Sequence, residues 1–325
     1  MSVLDLRHLQ VDIGDVHAVR DVSLRLSKGE CRALVGESGC GKSITAMSLL
    51  GLLPGAAKAS ARRWQFAGED VRQWSSKDWL SIRGNRIGMI FQNPMTALNP
   101  TQRIGDQIAE SLCIHKNLTI KAARQRAVGL LDRLAIPNPD RRARQYPFEF
   151  SGGMLQRAMI AMATACEPEL LIADEPTTAL DVTVQAEVLS LLRELQQDRG
   201  MAMLFITHDL GVVANIADSV SVMYAGEIVE SGRIRAVFEG QAHPYTQALK
   251  RAVPSMDVST ALQAISGTPP DLRSPPGGCG FAERCTYRMA ICEQSPPVLS
   301  CGHGHRSRCW RWDKDHPSRW REREK

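Results

Sequence analysis

The residues with the clearest chemistry are Gly36, Glu37, Ser38, Gly39, Cys40, Gly41, Lys42 and Ser43, which fit the pattern G-x-x-x-x-G-K-[ST]. Glycines in this pattern let successive backbone N–H groups turn inward around phosphates. Lys42 supplies a charge for the β- and γ-phosphates, and the Ser43 hydroxyl suits Mg2+. Far downstream, four apolar residues at 170–173 run into Asp174 and Glu175. In a chain with a phosphate loop, that pair suits Mg2+ binding by Asp174, directly or through water, and polarisation of an attacking water by Glu175. His208 follows another apolar run, at 203–206, and is placed to contact a γ-phosphate. Gln92, just after 86–91, offers an amide that reaches a metal and still moves, although its surroundings suit a surface turn as well.

These groups need elements to hold them. Residues 31–35 read as a buried strand entering the loop, and 44–53 as a helix leaving it. Phosphates would then lie at a helix N-terminus, where unpaired N–H groups and the dipole favour anions. Residues 170–173 read as a buried parallel strand whose C-terminal end is where open α/β sheets bind ligands. Ser151 is an N-cap candidate ahead of a helix over 154–165, with Gly152 and Gly153 keeping the backbone open. That stretch is either a plain loop or a second anion-binding helix start.

Residues 1–30 alternate apolar and polar, which predicts an antiparallel, half-buried sheet. Ile13 stands where an aromatic would stack on adenine, so adenine rests on an aliphatic surface or another residue supplies the contact. A helical pattern over 104–135 ends at Pro137 and Pro139, and residues 54–80 read as a loop, a short strand at 64–67 and a connecting helix. Thr178 to Asp181 opens a further helix, and short strands follow at 220–223 and 227–232. Strands alternating with helices argue for an α/β fold with a parallel sheet.

At 325 residues the chain holds one large domain with an appendage, or two ordinary domains. No apolar run approaches the ~20 residues of a membrane helix, and the N-terminus has acidic residues and no apolar core, unlike a signal peptide. The expectation is a cytoplasmic protein that reaches a membrane only by docking to another protein. A net charge of +5 is too mild, without a clustered patch, to argue for nucleic acid. Five of the nine cysteines lie between 279 and 309, which in a reducing compartment suggests metal ligation over disulfides.

Taken together and in order, the phosphate loop, Gln92, the F-S-G-G-M segment at 150–154, the A-D-E segment, T-A-L-D at 178–181 and I-T-H-D at 206–209 resemble the ATP-binding subunit of an ABC transporter. The resemblance implies a P-loop NTPase fold with a RecA-like core, an antiparallel β subdomain and an α-helical signature subdomain at about 93–158. It implies an ATP- and Mg2+-dependent ATPase in which two such subunits pair head to tail. Ser151, Gly152, Gly153 and Met154 would then serve the partner's ATP, Asp181 would lie at the dimer interface, and Gln92 would join Ser43 and Asp174 at Mg2+ and sense the permease. Phe150 and Met154 stand where Leu and Gln are commonest in the signature.

Segments 92–100, 146–157, 172–185 and 243–249 (H-P-Y-T-Q-A-L) look more narrowly like the dipeptide, oligopeptide and nickel importers, where Met in the signature is common. That subgroup implies a second, different ATPase subunit, two permease subunits, an external solute-binding protein, and a place on the cytoplasmic face of the inner membrane. No nucleic-acid partner is expected.

The reading divides the chain into an ATP-binding domain at 1–253, a Pro/Gly/Ser-rich linker at 254–278 and a small Cys-rich extension at 279–325. Similar subunits end in a four-cysteine pattern thought to hold an iron–sulfur cluster, here Cys279, Cys285, Cys292 and Cys309, with Cys301 as a spare. By chemistry alone four thiolates suit a four-iron, four-sulfur cluster or structural zinc, and free thiols stay open. The arginine- and tryptophan-rich end would be a solvated tail or touch an anionic membrane leaflet. A soluble ABC-type ATPase acting on DNA or ribosomes is the alternative, but one cassette and no heptad run fit it poorly. An inactive regulatory partner would not need Glu175 and His208.

Overall fold

The computed structural model describes residues 2–178, 180–252, 265–302 and 304–313. Residue 253, the linker residues 254–264 and the arginine- and tryptophan-rich end from 314 onward lie outside the described residues. The chain divides into two compact units. One comprises Met1–Val3, Leu26–Cys31 and Ala67–Ile206; the other comprises Leu4–Arg25, Arg32–Phe66 and Thr207–Lys325.

In chain order, β1 (Ser2–Ile13) and β2 (Val16–Ser27) are followed by β3 (Cys31–Val35), the phosphate-loop segment and α1 (Lys42–Leu49). Next come β4 (Ala57–Ser60) and β5 (Arg63–Phe66). β1 pairs antiparallel with β5, Leu4 opposite Phe66, and with β4, Ile13 opposite Ala57. The alternation over the first residues thus becomes the antiparallel sheet it predicts, with Leu4, Leu6, Leu9 and Val11 buried.

The chain continues through β6 (Glu69–Asp70), α2 (Ser76–Ile82), β7 (Ile87–Ile90), α3 (Pro94–Ala97), α4 (Ile104–Lys116), α5 (Ile120–Arg133), α6 (Pro139–Arg142) and α7 (Gly152–Thr164). It then reaches β8 (Leu170–Asp174), α8 (Val182–Arg199) and β9 (Ala202–Thr207). β7, β8 and β9 pair in parallel, with Ile87 opposite Leu170 and Asp174 opposite Ile206. Every residue of β8 is buried, as a parallel strand covered on both faces requires. The helical run over 104–135 is two helices: Asn117 ends α4 in the left-handed region, at φ 54°, and the Thr119 hydroxyl caps α5 by accepting from the Ala122 N–H. Pro139 does not merely end that run. It opens α6 at the first helical turn, where its missing N–H costs nothing.

The remaining elements are α9 (Leu210–Ile216), β10 (Ser219–Tyr224), β11 (Glu227–Arg233), α10 (Ile234–Gly240), α11 (Pro244–Arg251), β12 (Leu299–Gly302) and β13 (His305–Ser307). β10 pairs in parallel with β3 and antiparallel with β11. The cysteine-rich region contributes strands of its own: β12 and β13 form a hairpin, and β13 pairs antiparallel with β11, Glu230 opposite Ser307. These strands escaped the sequence reading because three or four residues are too few to display a period.

Glu230 locks this seam. Its fully buried carboxylate accepts from the backbone N–H groups of Ala242 (2.7 Å) and His243 (2.8 Å) and lies 2.6 Å from His305 Nε2. One buried acid therefore ties the tail hairpin to the start of α11, with both its oxygens engaged.

Candidate functional site

The phosphate loop lies between β3 and α1. Close approach dictates two of its glycines. A Cβ on Gly36 would fall 2.1 Å from the Met223 carbonyl oxygen. One on Gly41 would fall 2.5 Å from the Ala18 carbonyl oxygen, and Gly41 also sits at φ 105°, open in practice only to glycine. Gly41 thus bends the chain into the N-terminus of α1, where no side chain caps the helix. The free N–H groups of that turn are the donors an anion requires. Lys42 is 5% exposed, and its Nζ donates to the carbonyl oxygens of Gly36 (2.8 Å) and Glu37 (3.0 Å), which fixes the amine at the loop. Ser38 and Gly39 are exposed and Ser43 half-buried. Cys40 is buried, and burial pushes its thiol upward against the pull of Lys42, leaving it a packing thiol. Ile13 is half-buried at the end of β1.

In the other unit, Asp174 ends β8 and Glu175 follows it, 5% and 9% exposed. Glu175 is held in the left-handed region, at φ 46°, a strained choice for a non-glycine residue, and its N–H donates to the Ile206 carbonyl (2.9 Å). Two neighbours fix the Glu175 carboxylate: Gln92 Nε2 and Thr178 Oγ1 each donate to Oε2 at 3.1 Å. The structure therefore brings together Gln92 and Glu175, which the sequence separates by 83 positions. Thr178 stands three residues after the acid, close enough in the chain for its hydroxyl to reach back to the carboxylate.

Ser151 caps α7, its hydroxyl accepting from the Met154 N–H (3.4 Å). Ser151 and Gly152 are exposed, and Gly153 and Met154 are half-buried. A Cβ on Gly153 would press within 3.0 Å of Val184 on α8. Asp181 caps α8, with Oδ1 accepting from the Val184 N–H (3.0 Å). His208 is exposed just beyond β9, in the unit that carries the phosphate loop.

The Cys309 thiol is pushed up to about 12 by burial, with Cys279, Cys285 and Cys292 near enough to add to the shift. Cys279 is pushed up to about 11 in the same way, with Cys292 and Cys285 contributing. The Cys279 N–H donates to the Cys292 carbonyl (2.9 Å), and a Cβ on Gly278 would strike that same oxygen at 2.3 Å, so the segments bearing the two cysteines are closely apposed. Burial and then Glu230 push the Cys301 thiol up to about 12. Among the described residues, no three His, Cys, Asp or Glu side chains converge as the ligands of an ion, so the thiols as placed do not form the four-cysteine site that the spacing suggested.

The H-P-Y segment acquires a structural role the sequence did not reveal. His243 caps α11 through Nδ1, which accepts from the Tyr245 N–H (3.1 Å), and Pro244 takes the first turn. Tyr245 is fully buried, and its hydroxyl accepts from the Glu37 N–H (2.9 Å), tying α11 to the phosphate loop.

Residues 19–178 match a family model described as ABC transporter, and 229–292 match one described as oligopeptide/dipeptide transporter, C-terminal region. The chain is 50% identical over 320 residues to the dipeptide transport ATP-binding protein DppD of Bacillus subtilis, covering 96% of each chain. It is 49% identical to the oligopeptide transport ATP-binding protein OppD of the same organism, covering 94% of this chain and 86% of the relative. Among solved structures, cbiO1 of Clostridium perfringens, part of the ABC transporter complex cbiONQ, superposes with a TM-score of 0.64 at 28% identity, covering 74% of this chain and 92% of that one.

Proposed function

The chain belongs to the ATP-binding subunits of peptide-importing ABC transporters, an ATPase family that couples ATP hydrolysis to transport, and from that premise we propose how its own residues divide the work. Gly36 to Ser43 wrap the phosphates of ATP, and Lys42 neutralises the β- and γ-phosphates. Ser43, Asp174 and Gln92 hold Mg2+, which when bound screens charge on the phosphate oxygens. Glu175 orients and polarises the attacking water, and His208 contacts the γ-phosphate. Ile13 offers adenine an aliphatic surface. The carrying observation is the held carboxylate: Gln92 and Thr178 both donate to Glu175, whose backbone is fixed in a strained conformation.

In the assembly we propose, Ser151, Gly152, Gly153 and Met154 complete the ATP site of a second, different ATPase subunit, and Asp181 lies at that interface. The pair works beneath two permease subunits fed by a solute-binding protein, on the cytoplasmic face of the membrane. The cargo is a di- or oligopeptide or a related solute such as a nickel chelate. Residues 1–253 form the ATPase domain, with a helical subdomain at about 93–158. Residues 254–278 link it to a Cys-rich extension in which Cys279, Cys285, Cys292 and Cys309 hold a four-iron, four-sulfur cluster, zinc being the alternative. Either occupant would stabilise four thiolates and cross-link the extension.

Co-purification from native membranes tests this reading. Two permease subunits and a different ATPase should accompany the chain, with iron and sulfide in the purified complex. Recovery with ribosomal or DNA-repair proteins and no membrane protein would overturn it.

A further inference from the structure

We propose that Arg284, supplied by the cysteine-rich region, is a positioning residue of the phosphate loop and compensates the negative charge of Glu37. The proposal rests on the reading of Gly36 to Ser43 as the nucleotide site.

An acidic side chain inside an anion-binding loop is an electrical liability. At the second position of the loop, Glu37 places a carboxylate beside groups that must attract phosphate. The structure answers it with a bidentate pair: Arg284 Nη1 donates to Glu37 Oε2 at 2.7 Å and Nη2 to Oε1 at 2.9 Å. This is no loose surface contact, since the Arg284 side chain is 5% exposed and that of Glu37 23%. Arg284 also donates to Tyr224 Oη (3.2 Å) and to the Ser266 carbonyl (2.9 Å), and its guanidinium lies over the rings of Tyr224 and Phe281. A guanidinium held at that many points keeps one geometry.

Glu37 is gripped at three places. Arg284 holds its carboxylate, Tyr245 accepts from its N–H, and its carbonyl accepts from Lys42 Nζ. Two links therefore connect Arg284 to the amine that meets the phosphates. Losing Arg284 would unmask a negative charge at the loop and free the residue whose carbonyl positions Lys42. The main consequence is weaker nucleotide binding; the hydrolytic step, carried by Glu175, is left in place.

The test uses the full chain assembled with its transporter subunits, a fluorescent ATP analogue with Mg2+, and steady-state hydrolysis. The parent should bind the analogue. Arg284→Gln should raise Kd and the KM for ATP by about tenfold with kcat within about twofold, and the loss should shrink at high salt. Arg284→Lys should restore part of the affinity. The discriminating variant is the double change Arg284→Gln with Glu37→Gln, which removes the unmasked charge and should bind more tightly than Arg284→Gln alone. A purely structural loss would be deepened by the second substitution. Should Arg284→Gln fail to fold, Arg284→Lys with and without Glu37→Gln makes the same comparison. Parental affinity in Arg284→Gln, or a double variant no tighter than the single, would overturn the proposal. Failure of the parent itself to bind would instead overturn the reading of the loop.

Discussion

Replacing Glu230 by Gln should destabilise the protein far more than so conservative a change implies. The carboxylate is fully buried and accepts through both oxygens: Oε1 from the Ala242 N–H and facing His305 Nε2, Oε2 from the His243 N–H. An amide has one acceptor oxygen. If its NH2 takes the Oε2 place it confronts the His243 N–H; at the Oε1 place it confronts the Ala242 N–H. Either rotamer leaves a backbone donor facing a donor and removes the charge-assisted contact to His305. Each buried donor left unsatisfied costs about 1–3 kcal/mol, so the expected loss is about 2–4 kcal/mol. For a chain of this size that lowers Tm by roughly 3–6 °C in differential scanning fluorimetry. Glu230→Ala, which abandons both N–H groups and leaves a void, should lose more. Because β13 pairs with β11 across Glu230, limited proteolysis should also cut the 265–313 region sooner in both variants. A Tm within 1 °C of the parent for Glu230→Gln would refute the argument that this acid holds the tail hairpin to α11.

Two further outcomes follow from the same unit. Burial holds His243 down to about 4, against the opposing pull of Glu230 and with Arg308 nearby. From pH 6.5 down to about 4 the unfolded chain therefore gains a proton that the folded chain refuses. Stability should fall across that window by up to about 3 kcal/mol, and His243→Asn, which keeps a cap for Tyr245, should flatten the decline in urea titrations at stepped pH. Gly36→Ala would force a Cβ to within 2.1 Å of the Met223 carbonyl oxygen. The loop must then shift, and nucleotide Kd should rise at least about tenfold by equilibrium binding; affinity within twofold of the parent would contradict that geometry.

The sequence discloses what local chemistry and period can encode. The phosphate loop, the buried strand β8 with its acids, and the capped start of α7 were each readable because residue type and spacing announce them. The relatives then place the whole chain among peptide-importer ATPase subunits. Contacts between distant positions were not readable. Nothing local marks Gln92 as the donor to Glu175, Tyr245 as the acceptor behind Glu37, or Arg284 as its counter-charge. Each depends on chain reversal across tens or hundreds of residues. The tail was legible as a set of cysteines, but the burial that pushes the Cys301 and Cys309 thiols up was not, because it depends on what the fold packs around each one.

The most direct measurement of the central claim is ATP turnover by Glu175→Gln in the assembled transporter, alongside nucleotide affinity. The isosteric amide can still meet Gln92 and Thr178, so the site should keep its shape while losing the group that polarises water. Turnover should fall at least about 100-fold with ATP affinity preserved. Turnover near the parental rate would place the chemistry on another residue and contradict the assignment.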